Sequence, residues 1–230
     1  MKITLKEPLR VFIGYDSRED IAYRVARQSL LDHCSVNVEV TPIKMEEVRA
    51  AGLYWRDIDP LSSTEFSFTR FLTPALAGYK GWAVFCDCDF LFRKDLAEVI
   101  FYESGQYAVR VVQHNYRPPE AYKMDNRIQH QYPRKNWSSF MLMNCGHEAM
   151  KALSPPIVNT ESGAYLHQFK WLPDELIGQL PLTFNYLEGW NQPVDEPDPV
   201  AVHFTRGGPW FKDWVDVEYG RDWLEVSKRV

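Results

Sequence analysis

Apolar residues along this chain fall into short strand-like runs separated by stretches of helical spacing. Arg10-Val11-Phe12-Ile13-Gly14-Tyr15-Asp16 is a hydrophobic run closing in a polar turn, and predicts a first strand. Ile21, Val25, Leu30 and Leu31 recur at near-helical spacing and predict a helix over Asp20 to Asp32, while Val36 to Val40 alternates and predicts a second strand. Strand, helix, strand at this spacing predicts an α/β protein with a mostly parallel sheet, whose ligands bind at the carboxyl ends of the strands. The turn Gly14-Tyr15-Asp16-Ser17-Arg18 is then either a ligand-facing loop or a plain strand-to-helix turn capped by Asp16 or Ser17.

Further on, Met45 to Gly52 predicts a short helix. Ser62 to Leu76 predicts a longer one, capped by Ser62 or Ser63 with Glu65 closing the first turn and Pro74 interrupting it. Arg70 lies among its core positions, where a lone guanidinium is costly. It calls for a carboxylate partner or an anionic ligand, and the carboxylate is the favoured reading. Downstream, strands are predicted at Tyr107 to Gln113, Ser139 to Asn144, Thr183 to Leu187 and Val200 to His203. Helices are predicted at Asp95 to Ile100, His147 to Leu153, Tyr165 to Trp171 and in the tail from Trp214 to Val230. Tyr116 to Arg134 predicts a long loop or lid.

One run breaks the pattern. Ala83 to Phe92 is hydrophobic throughout except for Asp87 and Asp89, and reads as a buried strand. Two carboxylates in such a place require hydrogen-bond donors or a cation. With period-two alternation they project from one face at or near the strand's end, as two hard oxygen ligands for a divalent cation. The plainer alternative is a strand followed by a solvated turn.

Composition narrows the class without identifying it. A chain of 230 residues, 45% hydrophobic and 25% charged, suits one globular domain. A net charge of -5 gives no global pull toward nucleic acid, although Arg117, Lys123, Arg127, Arg134 and Lys135 make the aromatic loop Tyr116 to Trp137 locally basic. A solvated lid is the favoured reading of that loop, and an anionic acceptor site the sharper one. Cys34, Cys86, Cys88 and Cys145 are too few and scattered for a disulfide framework, and the Cys86/Cys88 pair lacks two further zinc ligands at recognisable spacing. They read as buried thiols in a reducing compartment, and with no apolar run long enough for a signal or anchor the expected location is the cytoplasm.

Taken together, the motifs resemble a GT-A glycosyltransferase, with glycosyltransferase family 8, the group of glycogenin and the bacterial lipopolysaccharide galactosyltransferases, the nearest match. The resemblance rests on the strand and turn Phe12 to Arg18, on Thr69-Arg70-Phe71-Leu72, and on Asp87-Cys88-Asp89 as the family's Asp-x-Asp. It extends to Ser138 to Asn144 and to His203-Phe204-Thr205-Arg206-Gly207-Gly208-Pro209-Trp210, and covers most of the chain as a single domain. It implies a nucleotide-binding part over about residues 1–112, with Ile13, Gly14, Tyr15, Asp16, Ser17, Arg18, Arg70, Asp87 and Cys88 at the nucleotide, and an acceptor-side part over about residues 113–230. Asp87, Asp89 and His203 would hold Mn²⁺ or Mg²⁺, although His203 taken alone reads as structural.

The chain departs from the family pattern at its end, where no Lys precedes Pro209-Trp210; Arg206, Gly207, Gly208 and Lys212 become the diphosphate-side candidates. Trp137-Ser138-Ser139 replaces an amide-rich turn on the substrate side, and Asp174 or Glu175 is the catalytic candidate under the anomeric carbon, with simple helix capping as its alternative. The implied reaction is metal-dependent transfer of a sugar from a nucleotide-sugar, a UDP-hexose first, with retention of configuration. The acceptor would be a glycan, a lipid-linked saccharide or a modified nucleic-acid base. The competing readings are a sugar nucleotidyltransferase, for which the 14–18 turn is a poor loop, and a degenerate fold serving as a binding module.

Overall fold

The computed structural model describes residues 5–58, 62–115 and 133–230. Its main sheet has six strands: β1 (Leu9–Gly14), β2 (Val38–Ile43), β3 (Trp82–Cys86), β5 (Val109–Val111), β6 (Phe140–Asn144) and β7 (Ile177–Gln179). They run in the order β2-β1-β3-β6-β5-β7. The pairs β1–β2, β1–β3 and β5–β7 are parallel, whereas β6 runs antiparallel to both β3 and β5. A second sheet, β4-β9-β8, is formed by β4 (Phe90–Phe92), β8 (Tyr186–Leu187) and β9 (Ala201–His203).

Helix α1 (Asp20–His33) places Ala22, Val25, Ala26 and Leu30 inward against β4 and β1. The other helices are short: α2 (Met45–Ala50), α3 (Thr73–Leu76), α4 (Pro155–Thr160), α5 (Gly163–His167) and the closing α6 (Gly220–Ser227), which packs on α1. No helix of the described residues is long and apolar enough to cross a membrane.

Three expectations change. The run Ala83 to Phe92 is two strands in two sheets, β3 and β4, with Asp87 to Asp89 in the crossing between them. The side chains flanking the crossing are fully buried on both sides: Val84, Phe85 and Cys86 before it, and Phe90 and Phe92 after it. Each large apolar one contributes about 1.5–3 kcal/mol, so the crossing is anchored at both ends. The carboxylates therefore converge because two sheets meet, and not because one strand alternates.

Secondly, Ser62 to Leu76 is not one helix. Residues 65–68 form turns, Thr69–Leu72 is a 3₁₀ turn, and Pro74 stands in the first turn of α3 instead of interrupting a helix. Glu65 is drawn away from any capping box to the Ser17 hydroxyl, 2.6 Å away. Phe66 packs beneath Gly14, where an added Cβ would lie 2.3 Å from its ring. Thirdly, several boundaries shift: the second strand runs later, through Pro42, and helix α4 occupies residues 155–160, where no element is predicted. The lid expected over Tyr116 to Arg134 lies almost wholly outside the described residues, as do Arg117, Lys123 and Arg127.

Candidate active site and metal centre

The carboxyl ends of β1 and β3 lie side by side, with Ile13 in register with Cys86. The chain leaves β3 through Asp87, whose amide donates to the Ser139 carbonyl at 2.9 Å. It enters β4 after Asp89, whose carbonyl accepts from the Phe204 amide at 3.0 Å. Both aspartates are thus fixed by backbone bonds to different sheets. His203 ends β9 opposite Phe90, on whose ring its imidazole stacks with centroids 4.4 Å apart.

Asp87, Asp89 and His203 each present a ligand atom within 4.8 Å of the others, and Nε2 of His203 is 3.1 Å from Oδ1 of Asp89. A divalent cation bound at about 2.1–2.6 Å spaces its ligand atoms no more than about 5 Å apart. The donor set is two hard carboxylates and one imidazole, with the imidazole buried and the carboxylates partly exposed. The residues present therefore fit a divalent cation, and the O,O,N chemistry suits Mn²⁺ or Mg²⁺. Cys86 and Cys88 are free and fully buried. Burial, and then nearby carboxylates, push both thiols well above their usual range, and neither sulfur belongs to the cluster of converging ligand atoms.

Arg70 is almost fully buried and donates from one nitrogen to Asp87 at 2.7 Å and to the Ser138 carbonyl at 3.0 Å. Its guanidinium lies over the rings of Phe66 and Phe85. The favoured carboxylate partner is therefore a residue of the cation cluster itself.

A cleft of about 430 Å³, part of it open to solvent, adjoins Asp89 and is lined by Glu19, Ser63, Thr64, Thr205, Arg206 and Trp210 among others. Arg206 reaches both oxygens of Glu188 at 3.4 Å and lies over the Trp214 ring. Glu188 is 3% exposed, and burial raises its carboxyl even with Arg206 opposing the shift. Gly189, with φ of +70°, leaves the room: a Cβ there would sit 1.9 Å from the Arg206 guanidinium. Gly207 lines the cleft but gives its amide to the Phe204 carbonyl, and Gly208 makes space for the Trp210 ring. Lys212 is exposed and does not line the cleft.

The other sequence-derived candidates have these positions. Ile13 is core. Tyr15 donates its hydroxyl to Asp20 and lies under the Lys44 ammonium. Asp16 is fully buried and caps the turn Ser17–Glu19. It accepts from the Arg18 backbone and guanidinium and from the Glu65 amide, which ties the turn to residues 63–65. Burial raises its carboxyl, but these donors outweigh burial and the net shift is downward. Ser17 is bound to Glu65.

Trp137 donates to the His114 carbonyl. Ser138 pairs with His167 at 2.8 Å, and the Ser139 hydroxyl donates to Asn136. Asp174 and Glu175 are exposed on a turn before β7; Asp174 is bound to Arg134 at 2.6 Å, and neither lines the cleft. Of the basic loop, then, Arg134 is paired and Lys135 is buried, so these two are not solvated lid charges.

Sequence reasoning passed over Glu19, Glu188, Asn185 and His114. Glu19 lines the cleft and contacts the Cys88 thiol. His114 is buried, and burial together with nearby His203 lowers its imidazole to about 3. Asn185 and Glu188 bracket the buried apolar pair Tyr186-Leu187, and a two-residue strand gives no local signal that sets its polar neighbours apart from loop residues.

The mixed main sheet flanked by helices has the GT-A glycosyltransferase fold of several solved structures. The WbbM bifunctional glycosyltransferase shares it at a TM-score of 0.67 and 13% identity, over 97% of this chain; the chain spans 50% of that protein. GlyE of Streptococcus pneumoniae TIGR4 matches at 0.61 and 16% identity, with 96% of this chain and 60% of GlyE covered. The galactosyltransferase LgtC, solved with donor and acceptor sugar analogs, matches at 0.60 and 12% identity over 96% of both chains. No family model matches the sequence. At 53% identity over 222 residues, 95% of this chain and 86% of the relative, the chain belongs to the family of Protein CDI from Arabidopsis thaliana.

Proposed function

We propose that the protein is a metal-dependent glycosyltransferase that moves a sugar, first among them a hexose carried on UDP, from a nucleotide-sugar to an acceptor with retention of configuration. The observation that carries the reading is the convergence of Asp87, Asp89 and His203 beside an open cleft on this fold. A bound Mn²⁺ or Mg²⁺ would supply Lewis-acid neutralisation of the charge that grows on the departing nucleoside diphosphate.

The chain's own residues do the rest. Arg70 holds the Asp87 carboxylate in place and offsets its charge. Arg206, fixed by Glu188 and Trp214 and lining the cleft with Asp89, is the cation best situated for the diphosphate, in the role expected of it or Lys212. Asp16 braces the turn that forms one wall and so acts on the nucleotide through Ser17–Glu19 and residues 63–65. On the sugar side the carboxylate candidates are Asp174 and Glu175, supported by their order in the sequence. Retention is supported by the resemblance to the retaining family. Free cysteines support a reducing, cytoplasmic setting. The acceptor is to be sought among glycans, lipid-linked saccharides and modified nucleic-acid bases.

The test is hydrolysis or transfer from a panel of nucleotide-sugars with added Mn²⁺. The wild type should show metal-dependent turnover of at least one UDP-sugar, and Asp89→Ala and His203→Ala should each abolish it. Activity unchanged in both variants would sink the metal assignment.

A further inference from the structure

Asn185 is fully buried behind His203, between β8 and the 136–139 turn. Its side-chain nitrogen donates to the Ser139 hydroxyl at 2.9 Å and to the Asn136 carbonyl at 3.3 Å. The Ser139 hydroxyl hydrogen is already committed to the same Asn136 carbonyl at 2.6 Å, so Ser139 accepts from Asn185. Two acceptors at one end of the amide decide which end is nitrogen. The oxygen must face the other way, and there Oδ1 lies 3.0 Å from Nδ1 of His203. A carbonyl oxygen has nothing to donate, so the hydrogen in that contact belongs to Nδ1.

The consequence falls on the far side of the ring. Nε2 faces Asp89 Oδ1 at 3.1 Å, and the stack on Phe90 keeps the ring from turning away. With its hydrogen on Nδ1, a neutral imidazole would bring a bare lone pair against a carboxylate, which is unfavourable unless a positive centre lies between them.

We propose that Asn185 is a positioning residue that fixes His203 with its hydrogen on Nδ1 and thereby offers Nε2, with Asp87 and Asp89, to a divalent cation. This rests on the metal-dependent reading above. Take Asn185 away and the preference reverses: the favourable arrangement becomes Nε2–H donating to Asp89, which fills the cation's coordination position with a hydrogen. Outer partners of this kind commonly change metal affinity by about 10–100-fold.

The experiment compares wild type, Asn185→Asp and Asn185→Leu. Imidazole ¹⁵N chemical shifts of His203 in metal-free protein report which nitrogen carries hydrogen, and calorimetry with Mn²⁺ in the presence of UDP reports affinity. A carboxylate at position 185 still accepts from Nδ1, so Asn185→Asp should keep the Nδ1-bound hydrogen, at a cost in stability because its second oxygen replaces the donor to Asn136 and Ser139. Asn185→Leu should move the hydrogen to Nε2 and weaken Mn²⁺ by about 10–100-fold, with its melting curve checking that it is folded. A wild type with bare Nδ1 overturns the proposal even if leucine does not fold. So does an Asn185→Leu variant that folds and binds Mn²⁺ as wild type does. The two failures are distinguishable: a wild type that has hydrogen on Nδ1 but binds no Mn²⁺ overturns the metal-dependent reading itself.

Discussion

Replacing Arg70 with Met tests how the carboxylate pair survives in a hydrophobic crossing. The Arg70 side chain is 7% exposed and that of Asp87 14%, so solvent screens this pair little. Met keeps most of the stem and its packing between Phe66 and Phe85, and removes the donors to Asp87 and to the Ser138 carbonyl. Breaking one side of a buried ion pair costs about 3–5 kcal/mol. Protonation offers an escape, because neutralising a carboxylate of ordinary pKa at pH 7 costs roughly 4 kcal/mol, and this caps the Asp87 part of the loss. Arg70→Met should therefore lose about 3–4 kcal/mol at pH 7 in urea unfolding of metal-free protein, with an unchanged denaturant slope. The loss should shrink toward pH 4, where the escape costs little. In a double-mutant cycle with Asp87→Asn the losses should fall short of additivity by about 2 kcal/mol or more. A loss below about 1 kcal/mol, or full additivity, would refute the claim that Arg70 is what makes Asp87 tolerable there.

Three further outcomes follow from the same structure. Arg206→Ala should weaken UDP by about 10–100-fold, the equivalent of one or two charge-assisted hydrogen bonds, and leave uridine unaffected; equal losses for both in calorimetry would remove Arg206 from the diphosphate. Asp16 has a lowered folded-state pKa, so its contribution is fully present above the unfolded value near ~3.9 and is lost as pH falls through the folded one. The stability gap between wild type and Asp16→Asn should be about 1–2 kcal/mol at pH 7, discounted for the half-exposed Arg18, and close in acid; a gap that widens in acid contradicts the brace. His114 and His167 are both lowered to about 3, chiefly by burial, so each binds protons only after unfolding once pH drops below the ordinary ~6.5. Stability should fall by roughly 1.4 kcal/mol per pH unit for each below that point, and a profile flat from pH 6.5 to pH 5 would contradict their neutral burial.

Much of the fold was legible because its signals are local. Val11, Phe12 and Ile13 are an apolar run rich in strand formers, and Ile21, Val25 and Leu30 recur along α1 at helical spacing. Asp87, Asp89 and Arg70 stood out because charge among core residues demands partners, and that demand is written in the sequence. The rest depended on contacts between distant segments. Ser62 and Glu65 look like the start of a helix, yet Glu65 is taken by Ser17 and Phe66 by the space at Gly14, and those contacts outweigh local preference. The division of Ala83 to Phe92 between two sheets requires β9, more than a hundred residues later in the chain, to pair with Phe90. Asn185 and Glu188 were hidden for the same reason. An Asn and a Glu beside two apolar residues resemble any loop until His203 and Arg206 are brought against them.

The central claim is that Asp87, Asp89 and His203 hold a cation under a nucleoside diphosphate. Thermal-shift titration of nucleotides and nucleotide-sugars with and without Mn²⁺, run in parallel on wild type and His203→Ala, tests it most directly. The account predicts that UDP or a UDP-sugar raises the wild-type melting temperature only when Mn²⁺ is present, and that the shift vanishes in His203→Ala. A nucleotide shift independent of Mn²⁺, or one retained in His203→Ala, would contradict it.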